Sequence, residues 1–472
     1  MRPRPTPDRR ALLRVAIVGL ATVPAAWRGG AAETDTRPNI LLVLTDDQRW
    51  NALGAAGNPV IVTPTLDRMA REGVRFENAF VTTPICAASR ASILTGLYER
   101  THGYTFTKPP LTRALTLASY PSLLRRAGYR TGFVGKLGVA VEKGTEAELF
   151  DVFQPSSLPY FQEIAGEKKY LTDLQAGQAI EFLRGARAGQ PFCLSVSFWA
   201  PHADDDKKEQ YFWPVDLDDL YGDVTIQPPP TSEPAFFESL PEFLRKTMNR
   251  ERWYWRFDTP AKYQQMVKGY YRMITAADRA LGRILDELRR QGVERNTVVV
   301  FTSDNGAFLG DRGYAEKWTM HEPSIRVPFI VLDPRLPAGA RGRVRREMIL
   351  NVDILPTVLE LAGLAVRAGL PGASLAPLIA GRDVGWRDEV FTEHLWDHPA
   401  IPRTEAVRTE RFKYIRYPQH PEFEELYDLA DDFWETQNLA AHESQRARLA
   451  ELRRHCDEWI RRLSAAGKGA ER

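Results

Sequence analysis

The stretch NILLVLTDD, residues 39–47, decides the fold of this chain. It begins with a run of Ile, Leu and Val, which is typical of a strand buried on both faces of a parallel sheet. Asp46 and Asp47 stand where that strand ends. Ligand sites of open α/β sheets lie at the carboxyl ends of strands. The stretch therefore predicts a parallel sheet with an acidic site at its edge.

Three further apolar runs also end in polar residues. They are 131–135 before Lys136, 192–198 before a Trp-Ala-Pro linker and His202, and 297–302 before Ser303, Asp304 and Asn305. Residues 260–291 repeat apolar positions every three or four residues, which predicts a helix between strands. Strands that alternate with helices indicate an α/β sheet with crossover helices. All four polar clusters should then meet in one crevice.

The pattern changes after about residue 380. Short alternating runs precede a helical segment at about 443–464, which predicts a small antiparallel sheet with a covering helix. We expect an α/β fold with a large mixed, mainly parallel central sheet flanked by helices, and a small C-terminal antiparallel sheet plus helix. The predicted parts are a signal peptide at 1–32, a catalytic domain at 37–380 and a C-terminal subdomain at 381–472.

The N-terminus has the pattern of a secretory signal. Arg9 and Arg10 precede the apolar residues 15–26, and small residues lead up to Glu33. The run is too short to span a bilayer comfortably, and the paired arginines hint at twin-arginine export. No later run of about 18 apolar residues follows. We expect an exported, periplasmic or secreted protein without a membrane span.

Charge and cysteine usage exclude several classes of protein. The chain has 63 Lys and Arg against 61 Asp and Glu, and without residues 1–32 the balance is 57 against 60. A balance near zero gives no general attraction for polyanions, so no nucleic-acid partner is expected and any attraction for a polyanion must be local. Cys193 is predicted to be a core thiol and Cys456 lies in the C-terminal helical segment; neither zinc spacing nor a disulfide framework is present.

The remaining cysteine lies in PICAASR, residues 84–90, which runs on to Leu94-Thr95-Gly96. Small residues, a serine and an arginine follow Cys86, so the segment is typical of a first helical turn. A helix N-terminus beside a fixed cation is an anion site, and a thiol there should be activated. Taken alone, the pattern also fits a helix start with an incidental cysteine.

This segment resembles the signature of the type I sulfatases of the alkaline-phosphatase-like superfamily, C-x-(P/A)-S-R followed by T-G. Cys86, Ser89, Arg90, Thr95 and Gly96 all match, and the likeness extends over about residues 37–440. The resemblance implies that a formylglycine-generating or sulfatase-maturating enzyme oxidises Cys86 to formylglycine. The hydrated aldehyde would then be the nucleophile.

The acidic residues have the chemistry of a metal site. Three carboxylates and one amide, from Asp46, Asp47, Asp304 and Asn305, suit Ca²⁺ or Mg²⁺ better than zinc. The resemblance implies that these residues hold a divalent metal, usually calcium, together with an oxygen of the formylglycine at Cys86. By itself, an Asp-Asp pair after a strand is also a common turn.

The resemblance also implies roles for the basic residues. Arg90 would steady the formylglycine hydrate, Lys136 and Lys317 would contact sulfate, and His202 would be the general acid. Taken singly, each lysine also fits a surface charge, and His202 a capping or core histidine. One departure stands out, because many sulfatases have a histidine where this chain has Gly138. His102 is a candidate replacement.

The segment between His202 and residue 260 is expected to supply specificity loops. It contains Trp213, Trp253, Tyr254 and Trp255, aromatic residues that stack on sugars or anchor loops, and Arg252 and Arg256 would add local positive charge. We therefore expect a sulfatase that hydrolyses a sulfate ester of a small molecule or glycan, and we favour a sulfated carbohydrate as its substrate. Two alternatives remain: a formylglycine-dependent phosphonate monoester or phosphodiester hydrolase, and a catalytically degenerate binder of sulfated glycans.

Overall fold

The computed structural model describes residues 37–106, 109–187 and 189–470, with side chains through residue 467. The signal peptide predicted at 1–32 lies outside the described residues. Within them, no helix is both long and apolar enough to cross a membrane. Cys86, Cys193 and Cys456 are all buried free thiols.

A central sheet of eight strands organises the fold. In chain order they are β1 Asn39–Thr45, β2 Val74–Phe76, β3 Arg130–Gly135, β4 Val152–Pro155, β5 Phe192–Ser197, β6 Thr297–Ser303, β7 Phe329–Leu332 and β8 Arg343–Arg345. Their order across the sheet is β8-β2-β7-β6-β1-β5-β3-β4. Only β7 runs antiparallel to its neighbours among these strands. The predicted mixed, mainly parallel sheet is confirmed.

The first strand lies in the middle of this sheet. β1 pairs in parallel with β5 on one side and β6 on the other, and every residue of the three strands is buried. The continuous Val, Ile and Leu runs follow from this burial on both faces. Thr45 pairs with Ser303, so the polar residues that follow β1 and β6 leave the sheet side by side.

Helices cover both faces of the sheet. Six of them are α1 Pro64–Glu72, α2 Cys86–Thr95, α3 Leu171–Arg184, α4 Pro260–Arg290, α5 Ile354–Leu361 and α6 Arg446–Ala470. In α4 the hydroxyl of Thr259 accepts a hydrogen bond from the backbone N–H of Lys262, and Pro260 occupies the first turn. This cap is the one that the sequence predicts, and the helix ends one residue earlier than expected.

The C-terminal region forms an antiparallel sheet of four strands, as predicted. Its strands are β9 Glu389–His394, β10 Thr404–Thr409, β11 Phe412–Arg416 and β12 Glu424–Asp428, in that order. α6 follows and packs on β10 and β11. The predicted boundary between the catalytic domain and this subdomain near residue 380 stays a prediction.

Shorter elements complete the described chain. The other α-helices are Glu99–His102, Arg113–Leu117, Tyr120–Arg126, Glu146–Leu149, Pro234–Glu238, Glu242–Arg245, Met248–Arg256, Glu322–Ile325 and Ala376–Ile379. The two-stranded pairs are Ala79–Phe80 with Ile349–Leu350, Phe161–Ile164 with Glu167–Tyr170, and Phe308–Leu309 with Ala315–Glu316. These strands of two to four residues are too short for sequence periodicity to reveal.

Candidate active site

The acidic residues that follow β1 and β6 lie together at the carboxyl end of the sheet. The backbone N–H of Asp47 donates to Oδ1 of Asp304 at 3.2 Å. Nδ2 of Asn305 donates to Oδ1 of Asp47 at 2.6 Å. Asp46, Asp47, Asp304 and Asn305 are all almost fully buried. We call these four residues the carboxylate cluster.

The oxygens of the cluster fit a hard divalent cation. Oδ1 of Asp46 and Oδ1 of Asn305 are buried and have no hydrogen-bond partner among the described residues. An unsatisfied buried acceptor costs about 1–3 kcal/mol, so a ligand that takes up both oxygens would relieve that cost. Ligand atoms of Asp46, Asp47 and His202 also lie within 4.8 Å of one another. Carboxylate and amide oxygens are the ligands that Ca²⁺ and Mg²⁺ prefer.

Three basic side chains contact the cluster. Nε of Arg90 lies 2.7 Å from Oδ2 of Asp304, and a second guanidinium nitrogen lies 3.4 Å from Asp46. Nζ of Lys136 forms an ion pair with Asp46, and Nζ of Lys317 lies 2.5 Å from Oδ1 of Asp47. Arg90 lies in α2, Lys136 follows β3 and Lys317 follows the short strand Ala315–Glu316, so the three cations meet only in the folded chain.

These contacts separate the pKa values of two neighbouring carboxyls. Burial opposes ionisation of Asp46, but the charges of Lys136, His202 and Arg90 outweigh it and hold its pKa well below the usual range. Burial raises the pKa of Asp304 to about 6, and the negative charge of Asp46 adds to that rise. Two carboxyls in one site thus differ strongly in proton affinity, which is typical of functional sites.

His202 faces the cluster through one ring nitrogen. Nδ1 lies 2.5 Å from the carbonyl oxygen of Ala203, and because a carbonyl only accepts, Nδ1 carries a proton. Nε2 lies 3.7 Å from Oδ2 of Asp47. The ring of Trp199 meets the imidazole edge-on, and Nζ of Lys136 lies 4.4 Å from the centre of the Trp199 ring. The orientation of His202 is therefore fixed.

Cys86 is the first residue of α2, after Ile85 in an extended conformation. Its side chain is 8% exposed and lies in the field of the cluster and its cations. Burial raises the pKa of the Cys86 thiol, and the charges of Lys136 and Lys317 only partly offset this effect. The expectation of an activated thiol is wrong, because burial outweighs the helix N-terminus and the cations.

Comparison with known proteins identifies the family. The sequence profile of the sulfatase family matches residues 38–364, and that of the C-terminal region of N-sulphoglucosamine sulphohydrolase matches residues 310–462. The chain belongs to the sulfatase family. An N-acetylglucosamine-6-O-sulfatase of Bacteroides thetaiotaomicron is 30% identical over 86% of this chain and 83% of its own length. The predicted family and the predicted hydrolase class are confirmed.

Solved structures give the same fold. A protein in complex with its substrate D-glucosamine-2-N,6-O-disulfate superposes with a TM-score of 0.76 at 25% identity, over 91% of this chain and 98% of its own. A phosphonate monoester hydrolase of Agrobacterium radiobacter superposes with a TM-score of 0.69 at 24% identity, over 91% and 96%. The second likeness concerns the fold alone.

At Gly138, where many sulfatases have a histidine, the structure leaves little room for a side chain. The φ of Gly138 is +66°, and a Cβ atom there would lie 2.8 Å from Cδ of Arg90. A larger residue would therefore displace Arg90. His102 is engaged elsewhere: Nε2 lies 3.1 Å from the hydroxyl of Ser92, and Nδ1 accepts from the backbone N–H of Tyr104. It does not replace the missing histidine, because both ring nitrogens have partners.

The expected positive charge of Arg252 and Arg256 is neutralised in this sulfatase. Both guanidinium groups pair with the carboxylates of Asp205 and Glu316. Arg256 is almost fully buried, and Arg252 is largely buried. The two arginines and the two carboxylates therefore form a group without net charge beside Lys317, and the arginines do not attract anions.

Several residues at the site carry no signal in the local sequence. The hydroxyl of Ser197 accepts a hydrogen bond from Arg90 at 2.5 Å. Glu316 and Trp318, on either side of Lys317, have φ values of 71° and 84°, and Asp47 has 67°. Non-glycine residues rarely adopt this left-handed region, and such residues cluster at functional sites. Sequence reasoning missed these conformations, because asparagine or glycine would be the usual signal.

Proposed function

We propose that this sulfatase hydrolyses sulfate esters of sulfated carbohydrates to the alcohol and sulfate. The observation that carries the proposal is the buried cluster, in which cations, carboxylates and Cys86 lie together at one end of the sheet. Two comparisons support the carbohydrate: a relative is named N-acetylglucosamine-6-O-sulfatase, and a structural neighbour binds D-glucosamine-2-N,6-O-disulfate.

Cys86 is the proposed site of modification. A formylglycine-generating or sulfatase-maturating enzyme would convert it, and the hydrated aldehyde would supply the attacking hydroxyl group. Asp46, Asp47, Asp304 and Asn305, with the modified side chain, would hold Ca²⁺ or Mg²⁺, which supplies positive charge to polarise the sulfate. Oδ1 of Asp46 and Oδ1 of Asn305, which have no hydrogen-bond partner in the described part of the chain, support this ligand set.

The remaining side chains neutralise charge and move protons. Lys136 and Lys317 are buried cations, and burial of Lys317 is outweighed by Asp47 and Glu316, which hold its pKa well above the ordinary value. Both lysines therefore stay charged and would bind sulfate oxygens. His202, whose Nδ1–H is held by Ala203, would donate the Nε2 proton to the leaving alcohol.

Mass spectrometry and kinetics test this assignment together. The full chain is produced with a maturating enzyme, and the Cys86 peptide is analysed for formylglycine. Turnover of an aryl sulfate and of N-acetylglucosamine 6-sulfate is then measured against a Cys86→Ala variant. Formylglycine with turnover of both esters supports the proposal, whereas converted protein that turns over neither overturns it.

A second candidate activity concerns phosphonate esters. A phosphonate monoester hydrolase with the same fold fits this alternative. Matched aryl sulfate and aryl phosphonate esters separate the two activities by the ratio of kcat/KM. The degenerate binder is distinguished by a free thiol at Cys86 together with binding of sulfated glycan.

We also propose that the protein is exported, on the support of the signal pattern in residues 1–32. The test replaces Arg9 and Arg10 by lysine and measures the fraction of protein in the periplasm or medium. Unchanged export would exclude the twin-arginine route, and retention of residues 1–32 in the mature protein would exclude a cleaved signal.

A further inference from the structure

A cavity of about 700 Å³ lies at the end of the central sheet opposite to the carboxylate cluster. Thr297, the first residue of β6, lines it, whereas Asp304 follows the last residue of the same strand. A seven-residue strand rises by about 3.3 Å per residue, so the two places are roughly 20 Å apart. None of the residues discussed for the active site lines this cavity.

The floor of the cavity is apolar. Leu285 and Leu288 from α4, Val299 from β6 and Leu332 from β7 contribute to it. Binding sites for small organic ligands usually measure about 300–1,000 Å³ and combine an apolar lining with a few polar groups. The size and floor of the cavity therefore fit a ligand of one or two sugar rings.

The rim of the cavity is strongly basic. It carries five arginines and two glutamates, a net charge of +3: Arg68, Arg71, Arg289, Arg295, Arg341, Glu72 and Glu294. Both glutamates are already paired, Glu72 with Arg68 at 3.7 Å and Glu294 with Arg289 at 3.1 Å. Arg71, Arg295 and Arg341 pair with no carboxylate in the part of the chain that the structure describes. Their three charges are therefore available to an anion.

Arg341 is held in place without losing its charge. Its Nε donates to the carbonyl oxygen of Leu336 at 2.8 Å, and one Nη donates to that of Pro334 at 2.5 Å. The neighbouring Gly342 donates its N–H to the carbonyl oxygen of Gly73 at 2.6 Å, which ties this loop to the end of α1. Arg71 lies in that last turn. The two arginines are thus positioned on one rim.

We propose that this cavity is a second, non-catalytic binding site for a sulfated oligosaccharide. Guanidinium groups bind sulfate and carboxylate through paired N–H donors, and the apolar floor takes the C–H face of a sugar ring. The inference rests on the proposed function, because the ligand is a longer form of the same sulfated carbohydrate. The site retains the polymer while another part of it reaches the carboxylate cluster.

Binding of a labelled octasaccharide tests the site. A heparin-derived fluorescent octasaccharide is titrated into the full chain carrying Cys86→Ala, which prevents turnover. In this background Arg71→Gln with Arg295→Gln is compared with Arg454→Gln and Arg461→Gln, two exposed arginines of α6. The first pair should raise Kd at least fivefold and weaken its salt dependence, whereas the control pair should change Kd less than twofold.

The kinetic test uses the chain with Cys86 converted. Arg71→Gln with Arg295→Gln should leave kcat/KM for an aryl sulfate unchanged and lower it severalfold for a sulfated polymer. An unchanged Kd, or an equal loss in the control pair, overturns the site. If the double variant folds poorly, Arg295→Gln alone is measured, and an unchanged Kd again overturns the site. The two proposals can fail separately. If the converted chain hydrolyses no sulfate ester, but Arg71→Gln with Arg295→Gln still raises the Kd for the octasaccharide, the proposed function is overturned and the second binding site is retained.

Discussion

The two ends of the central sheet use charge in opposite ways. At the carboxyl end, Arg90, Lys136 and Lys317 are buried, and each pairs with a carboxylate. At the amino end, Arg71 and Arg295 are exposed and pair with no carboxylate among the described residues. Buried, paired charges are fixed in place and need little reorganisation during a reaction, whereas exposed charges attract a polymer over a longer range. Burial therefore separates the end to which we assign the chemistry from the end to which we assign binding.

Replacement of Cys86 should have the largest effect. Cys86→Ala removes the proposed nucleophile, so kcat/KM for an aryl sulfate should fall by about 10⁴-fold or more. The variant should melt within a few degrees of the wild type, because Cys86 forms no disulfide. Residual turnover above about 1% of wild type would show that a group other than residue 86 attacks the sulfur.

Loss of one buried cation should be the next largest effect. Lys317→Met removes a charge held 2.5 Å from Asp47, so kcat/KM for an aryl sulfate should fall about 10²–10³-fold. Arg71→Gln at the amino end is the matched control and should leave this value within twofold. Equal losses in both variants would remove the functional distinction between the two ends.

The local sequence predicts the strands and the acidic residues of the carboxyl end, but it does not predict the ion pairs or the basic cavity. The runs before Asp46 and Asp304 reveal buried strands, and the topology of a parallel sheet then brings their ends together. Arg252 pairs with Glu316 although the two residues lie 64 positions apart in the sequence. The local sequence therefore predicts a free positive charge at Arg252, whereas the fold neutralises it. Arg71, Arg295 and Arg341 lie on three separate elements, and no motif connects them.

Substitutions at the two ends of the sheet should also differ in their effect on the free energy of unfolding. Arg90→Met leaves the buried carboxylates of Asp46 and Asp304 without their guanidinium partner, which should lower the free energy of unfolding by about 3–5 kcal/mol. Arg71→Gln changes an exposed side chain, and a change of about 0.5 kcal/mol or less is expected. Urea unfolding of both variants measures the difference. A loss below about 1 kcal/mol for Arg90→Met would contradict the importance of burial.

Metal binding should stabilise the carboxyl end selectively. Ca²⁺ at about 100 times its Kd should stabilise the wild type by about 2.7 kcal/mol, observed as a rise of a few degrees in Tm. Asn305→Ala removes an oxygen that has no donor among the described residues, so the rise should shrink by half or more. Arg71→Gln should keep the full rise. Mg²⁺ is tested in parallel, and equal rises in all three proteins would place the ion elsewhere.

The smallest expected effect comes from replacing Glu99, a buried carboxyl group that pairs with no positive charge among the described residues. Burial raises the pKa of Glu99 to about 8, and neighbouring Glu393 adds to the rise, whereas the cations around Asp46 reverse the effect of its burial. Because the folded state holds the Glu99 proton more tightly than the unfolded state, its contribution to stability is complete below about pH 4.5 and is lost as the pH rises through about 8. Glu99→Gln should therefore gain a few degrees in Tm relative to wild type at pH 9 and little at pH 5. A Tm difference that is the same at both pH values would mean that Glu99 is ionised in the folded protein throughout this range.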